Sequence, residues 1–223
     1  MAPLRDTSLR YPGGRSAAWG VVGFLIAYVI SFGLVAWQRS ALTAGLTVSP
    51  GGGAVEEPLT EFVALGQLPD WELAGVVLFN AQFAAFEVPV RVFEGGQSVT
   101  QSVNFLTAEG GPFLLVFVIP IAAYVGTGAL AARSALRAGR RNPELTAAMQ
   151  FTGILPLAIA GMVAFGLSAG GSTGPSLLWT PVLAGFVYPV ACGYLGGRIG
   201  TAYWGSGDAD GTSDRDAETW WSG

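Results

Sequence analysis

The chain has no histidine and no lysine, and its single cysteine, Cys192, lies inside an apolar run. One cysteine cannot form a disulfide within the chain, and without histidine a Cys/His metal site has no ligand set to draw on. Charge is scarce too. Of the 223 residues 12% are charged and 51% hydrophobic, and soluble domains carry about 25% charge. There is no P-loop, dinucleotide fingerprint, nucleophile elbow or HExxH pattern. These absences predict a protein that is not an enzyme, with no catalytic residue, no cofactor, no metal site and no nucleic-acid partner.

What is abundant is uncharged length. Residues 145–197 run for 53 positions without a charged side chain, broken near the middle by Gly, Ser and Pro at 170–176. In a bilayer this reads as two spanning helices and a tight turn, since about 20 residues cross the hydrocarbon. Two more such segments lie upstream. The expected order is an N-terminal arm (1–15), a first span (16–38), an insertion (39–111), a second span (112–132), an Arg-rich loop (133–144), a third span (145–168), a turn (169–176), a fourth span (177–197) and an acidic, disordered tail (198–223). The first segment is too long to read as a cleaved signal peptide. Trp19 and Trp37 are 18 residues apart in the first span, ~27 Å along a helix, which predicts one indole anchor at each interface.

All eleven basic residues are Arg. With four spans, Arg5, Arg10 and Arg15, then Arg133, Arg137, Arg140 and Arg141, then Arg198 fall on one side. The positive-inside rule then predicts a multi-pass cell-membrane protein with both termini in the cytoplasm and residues 39–111 and 169–176 outside. The cluster Arg133, Arg137, Arg140 and Arg141 would set orientation, and it offers contacts to anionic lipid head groups. Fifteen acids give a net charge of −4; eight fall between the first two spans and five in the last sixteen residues. Acidic aqueous segments without Lys predict a halophilic archaeal source, where salt screens carboxylate repulsion. GC-rich coding also replaces Lys with Arg. Glu56, Glu57, Glu61, Asp70 and Glu72 lack the spacing of a calcium loop, so their expected role is salt-adapted solvation.

The insertion is too long for an idle connection. After the flexible Ser49-Pro50-Gly51-Gly52-Gly53, a short helix is expected near 59–65 and another from Asp70, with Asp70 as its cap. Residues 73–86 are uncharged but too few to span, leaving an interfacial, re-entrant or packed position open. Segments 86–93 and 97–106 flank Glu94-Gly95-Gly96 and predict a β-hairpin. The expected product is a small α+β extracellular cap resting on the outer membrane face.

Residues 117–124 of the second span resemble 186–193 of the fourth (Phe-Val-x-Pro), and a weaker echo joins the first span to the third. Both fit a duplicated helical hairpin with the cap inserted in the first copy. Chance similarity between apolar helices is the plain alternative. Pro120, Pro156 and Pro189 are candidate helix kinks, and Tyr28, Tyr124, Thr127, Thr152, Tyr188 and Tyr194 offer hydroxyls at membrane depth. Gly193, Gly196, Gly197 and Gly200 form overlapping small-residue ridges for helix contact, within the bundle or with another protomer.

Four spans, a large insertion after the first, and the element Phe79-Asn80-Ala81-Gln82-Phe83 together resemble a haloarchaeal membrane family whose members are uncharacterised and sometimes loosely labelled transporters. In that family His often follows the Ala, where this chain has Gln82, so any chemistry resting on that His would be missing here. The resemblance implies no established activity or ligand. The resulting expectation is an all-α, four-span membrane protein. Its partners would be the lipid bilayer and either its own copies or other membrane subunits, and its role an accessory or scaffold subunit. The alternative is an oligomeric passive channel or transporter for a small neutral solute.

Overall fold

The computed structural model describes residues 13–44, 47–48, 57–58, 68–91, 98–104, 106, 116–165 and 174–205. The expected helix near 59–65, the linker 49–53 and the tail from 206, with Trp220 and Trp221, lie outside the described residues. The fold is mostly helical, and four helices are long and apolar enough to cross a membrane: Gly14–Ser40, Val118–Arg137, Pro143–Ala164 and Thr180–Trp204.

Helix α1 runs over Gly13–Ala44 and breaks at Gln38, whose φ of −118° and ψ of 24° leave the helical region. A short helix, α2 (Asp70–Ala81), precedes strand β3 (Phe86–Arg91), which pairs antiparallel with β4 (Ser98–Val103). The hairpin is therefore present, and β5 (Gly174–Pro175) joins its other edge through Phe86 and Glu87. A separate two-residue ladder pairs β1 (Thr47–Val48) with β2 (Glu57–Pro58). Helix α3 covers Val118–Arg137, α4 Pro143–Ala148, α5 Phe151–Ala164, and α6 Tyr188–Trp204 directly follows a π-helical stretch, Thr180–Val187.

Several boundaries differ from the sequence reading for local reasons. Arg133 and Arg137 belong to the last two turns of α3, because Ala-rich sequence carries the helix past the apolar run. The helix ends only where Gly139 takes a φ of +65°. The Arg140 N–H then donates to Ala135 O and the Gly139 N–H to Leu136 O, a Schellman closure that needs a residue free to adopt positive φ. Pro143 opens α4 at a position where no N–H is required. Arg198 likewise lies inside α6 rather than after it. Asp70 is not the cap of α2: Pro69 holds that position, and the Asp70 carboxylate pairs with Arg39 at the far end of α1.

The largest departure concerns α2 itself. Ten consecutive residues, Glu72 to Ala81, are buried, so the helix presents no face to a surrounding medium. It packs chiefly against α1 and also meets α3, while its Gly75 lies under the ring of Phe165 at the end of α5. Of the interfacial, re-entrant and packed positions left open for residues 73–86, α2 takes the packed one, wedged among the long helices. Glu72, assigned to solvation, is 1% exposed. On the other side, where the chain enters α1 and leaves α6, the helices close directly on one another. The bundle therefore has a tightly closed terminal side and a wedged-open insertion side.

Candidate functional site

The closed side is built on glycine. A methyl group on Gly193 would sit 2.8 Å from Ala147 O, and one on Gly197 2.7 Å from Glu144 Cα, so these two residues seat α6 against α4. One on Gly200 would sit 2.8 Å from Ala129 O and one on Gly196 would collide with Val125 O, so this second pair seats α6 against α3. Gly197 thus faces α4, Gly196 and Gly200 face α3, and Gly193 lies between the two neighbours. Gly128 meets Gly193 in return, Gly153 meets the Ala17 carbonyl, and Gly20 meets that of Gln150. Bare backbones at these crossings permit the close approach on which helix association in lipid depends.

One amide sits where these contacts converge. Gln150 is fully buried in the turn between α4 and α5. Its Nε2 donates to Tyr124 O on α3 and to Pro189 O on α6, both at 3.1 Å. Two carbonyls facing one end of the amide fix which end carries nitrogen. Its Oε1 lies 3.1 Å from Thr127 Oγ1, which is also 2.9 Å from Ala123 O. The hydroxyl has one proton. It is shared between Oε1 and Ala123 O, as only one of them can take it at a time. One side chain thus ties three chain segments together.

A turn further toward the wedge, Tyr124 is fully buried, and its hydroxyl reaches Gln82 Oε1 over a long 3.5 Å. Gln82 Nε2 donates to Leu78 O at 3.2 Å within α2. The Tyr188 ring meets Tyr124 edge-on at 6.3 Å, and its hydroxyl is buried with no hydrogen-bond partner among the described residues. Polar groups therefore run from Gln150 through Thr127 and Tyr124 to Gln82, along the line between the closed side and the wedge.

The element Phe79-Asn80-Ala81-Gln82-Phe83 forms the end of that wedge. Phe79 packs on Phe165 with ring centroids 5.5 Å apart. The Asn80 side chain donates back to Val76 O, and Asn80 O accepts from Asn104 at 2.9 Å. Phe83 adopts a φ of 60°, so the Ala84 N–H reaches Phe79 O and the Phe83 N–H reaches Asn80 O. This is a second Schellman closure, with Phe where Gly is usual. The strained residue packs on Phe117 at 5.0 Å.

The other residues singled out in the sequence are dispersed. Pro120 falls in the first turn of α3, where its missing N–H costs nothing, so it is no kink. Pro189 directly follows the π-helical stretch, and Pro156 lies inside α5 with its side chain exposed. Trp19 is half-buried, with its indole N–H on Ser134 Oγ at 3.3 Å, whereas Trp37 is 79% exposed. The Arg133 guanidinium lies 5.1 Å over the Trp204 ring, and Arg137, Arg140 and Arg141 are exposed. Tyr28 donates to Trp71 O at 2.9 Å and Thr152 to Met149 O at 2.8 Å, while Tyr194 faces outward. Among the described residues no group of three or more His, Cys, Asp or Glu could hold a metal ion.

Sequence reasoning passed over Gln150 and Phe165. Gln150 carried a signal, as the one carboxamide in the 53-residue charge-free stretch. Phe165 carried none among thirteen Phe residues. No curated protein and no solved structure matches the chain. A family model does match, over residues 3–203, and by it the chain belongs to a family of unknown function, DUF7978.

Proposed function

We propose that this chain is a non-catalytic, multi-pass membrane protein that serves as an accessory or scaffold subunit of a membrane assembly. The observation that carries this reading is the full engagement of the one buried amide at the bundle centre. Gln150 spends both amide protons on backbone carbonyls of two other helices, so it acts as a fastener. Polar groups kept for transport chemistry are usually ionisable and aimed at a path. The Arg-bearing terminal side would face the cytoplasm and the β-hairpin the exterior. A duplicated hairpin is supported by α3 and α6, since Pro120 and Pro189 each lie in the first turn after a distorted one, 3₁₀ at 116–117 and π at 180–187.

The test is gentle-detergent purification from native membranes at high salt, followed by mass and composition analysis of the particle. A stoichiometric foreign subunit supports the accessory role, and a pure homo-oligomer weakens it and makes solute flux the next measurement. A second reading, a passive conduit for a small neutral solute, draws support from the Tyr188 hydroxyl, unpartnered among the described residues, beside the polar line under α2. Solute flux in proteoliposomes tests that reading.

A further inference from the structure

On the outward side of the α1–α3 pair lies a cleft of about 640 Å³, lined by Ile26 and Ile30 of α1 and by Val118, Ile119, Gly126 and Leu130 of α3, among others. Its walls are apolar except for the Thr127 hydroxyl, which is engaged with Gln150. A methyl group on Gly126 would meet nothing within 4 Å, so the open space there is real. From Val118 to Leu130 the cleft runs ~18 Å along the helix; its Leu130 end lies ~10 Å from Arg137, so a chain of the ~15 Å depth of one leaflet, anchored at Arg137, reaches about as far as Gly126.

What lies beyond the end of the cleft identifies its occupant. At about 100° per residue, Arg15 and Ile26, eleven positions apart, share one face of α1. Ile119 and Arg137, eighteen apart, share one face of α3. The helices are antiparallel, and the contacts Gly23–Thr127 and Trp19–Ser134 set their register. That register brings Arg15 level with Arg137, and both are exposed. The Trp19–Ser134 bond ties the two helices between the cleft and these residues. An apolar trough thus ends at an indole and then at two guanidinium groups, in the order of an acyl chain, an interface and a phosphate. Neither α1 nor α3 carries an acid. A second copy docking here about a two-fold axis would therefore oppose four cations with no acid from these two helices between them.

We propose that the α1–α3 cleft is a binding site for an anionic phospholipid of the leaflet on the terminal side, with one acyl chain against Gly126 and the phosphate between Arg15 and Arg137. The test uses the full chain, reconstituted in bilayers of equal phosphatidylglycerol and phosphatidylcholine, released gently and weighed by native mass spectrometry. The expected wild-type result is one retained phospholipid with at least fivefold enrichment of phosphatidylglycerol. Arg15→Gln with Arg137→Gln should abolish the enrichment. Gly126→Phe, which fills open space, should abolish retention while leaving the melting temperature within 2 °C; Ala122→Leu serves if Gly126→Phe does not fold. Retention without class preference, or equal retention in the filled variant, would overturn the proposal. So would a dimer that the filled variant dissolves, since it would identify a second copy as the occupant.

Discussion

Replacing Gln150 by Met keeps the length of the side chain and removes every polar atom. Three contacts vanish: the two amide donations, to Tyr124 O and Pro189 O, and the acceptance from Thr127. Hydrogen bonds between membrane helices average about 0.6 kcal/mol and reach about 1.7, so their joint loss should destabilise the bundle by about 2 kcal/mol. Two structural facts hold the cost near that figure. The carbonyls of Tyr124 and Pro189 lie inside α3 and α6, where the helical ladder already uses one lone pair of each. Thr127, for its part, can turn its proton to Ala123 O, 2.9 Å away.

The measurement is reversible unfolding in mixed micelles titrated with sodium dodecyl sulfate. The expected outcome is a midpoint shift corresponding to about 2 kcal/mol. Gln150→Glu should not rescue it, because a carboxyl group has at most one proton to offer two carbonyls. A double-mutant cycle with Thr127→Val isolates the Gln150–Thr127 pair and should return about 0.6 kcal/mol of coupling. A Met variant within 0.3 kcal/mol of wild type, or strict additivity in the cycle, would refute the view of Gln150 as the fastener of three segments.

Other substitutions probe the wedge and the closed side. Phe165→Ala strips the ring that meets Tyr28, Trp71 and Phe79 at centroid distances of 5.8, 6.1 and 5.5 Å; it should cost about 3 kcal/mol in the same titration and raise proteolysis between α1 and α3. Gly196→Leu drives a side chain into Val125 O, and should abolish a monodisperse particle by size exclusion, whereas Gly33→Leu, which meets nothing within 4 Å, should not. Phe83→Gly relieves about 1 kcal/mol of left-handed strain while losing the Phe117 contact, so its unfolding midpoint should stay near that of wild type. Phe83→Val keeps the strain and loses most of the ring contact, and should be the less stable of the two.

Most of the long-range plan was legible because it rests on length and hydropathy, which need no tertiary information. Four charge-free runs of spanning length became four long helices, and Val-rich segments on either side of Glu94-Gly95-Gly96 became the hairpin. The glycine ridges on α6 were visible as spacing, but spacing is mute about partners. Only the fold sets Gly197 against α4, Gly196 and Gly200 against α3, and Gly193 between them. Burial of α2 was illegible for a different reason. From Leu73 to Phe79 its sequence is apolar all round, and such a short run suits a membrane surface, a re-entrant loop and a bundle interior equally well. Which of these wins is decided by Gly75 meeting Phe165, ninety positions away. Glu72 misled for the same reason, since an acid in the first turn of a helix reads as solvated whether or not that turn is covered.

A twelve-residue helix buried among spanning helices raises a problem that its own ends must solve. A spanning helix carries its unpaired N–H and C=O groups out to water, whereas a short buried one leaves them inside, where each unpaired group costs several kcal/mol. Here the supply is specific at both ends. At the start, Pro69 O accepts from the N–H groups of Glu72 and Leu73, and Arg39 of α1 reaches both Leu68 O, at 2.6 Å, and the Asp70 carboxylate. At the finish, Leu78 O takes Gln82 Nε2, Phe79 O takes the Gln82 and Ala84 N–H groups, and Asn80 O takes the Phe83 N–H and the Asn104 amide. This accounts for the composition of the Phe-Asn-Ala-Gln-Phe element without invoking a ligand. Gln82 caps a carbonyl with one end of its amide and meets Tyr124 with the other, and Phe83 accepts left-handed strain so that the last turn can close. The element closes the inner end of the wedge, and Arg39 holds the outer one.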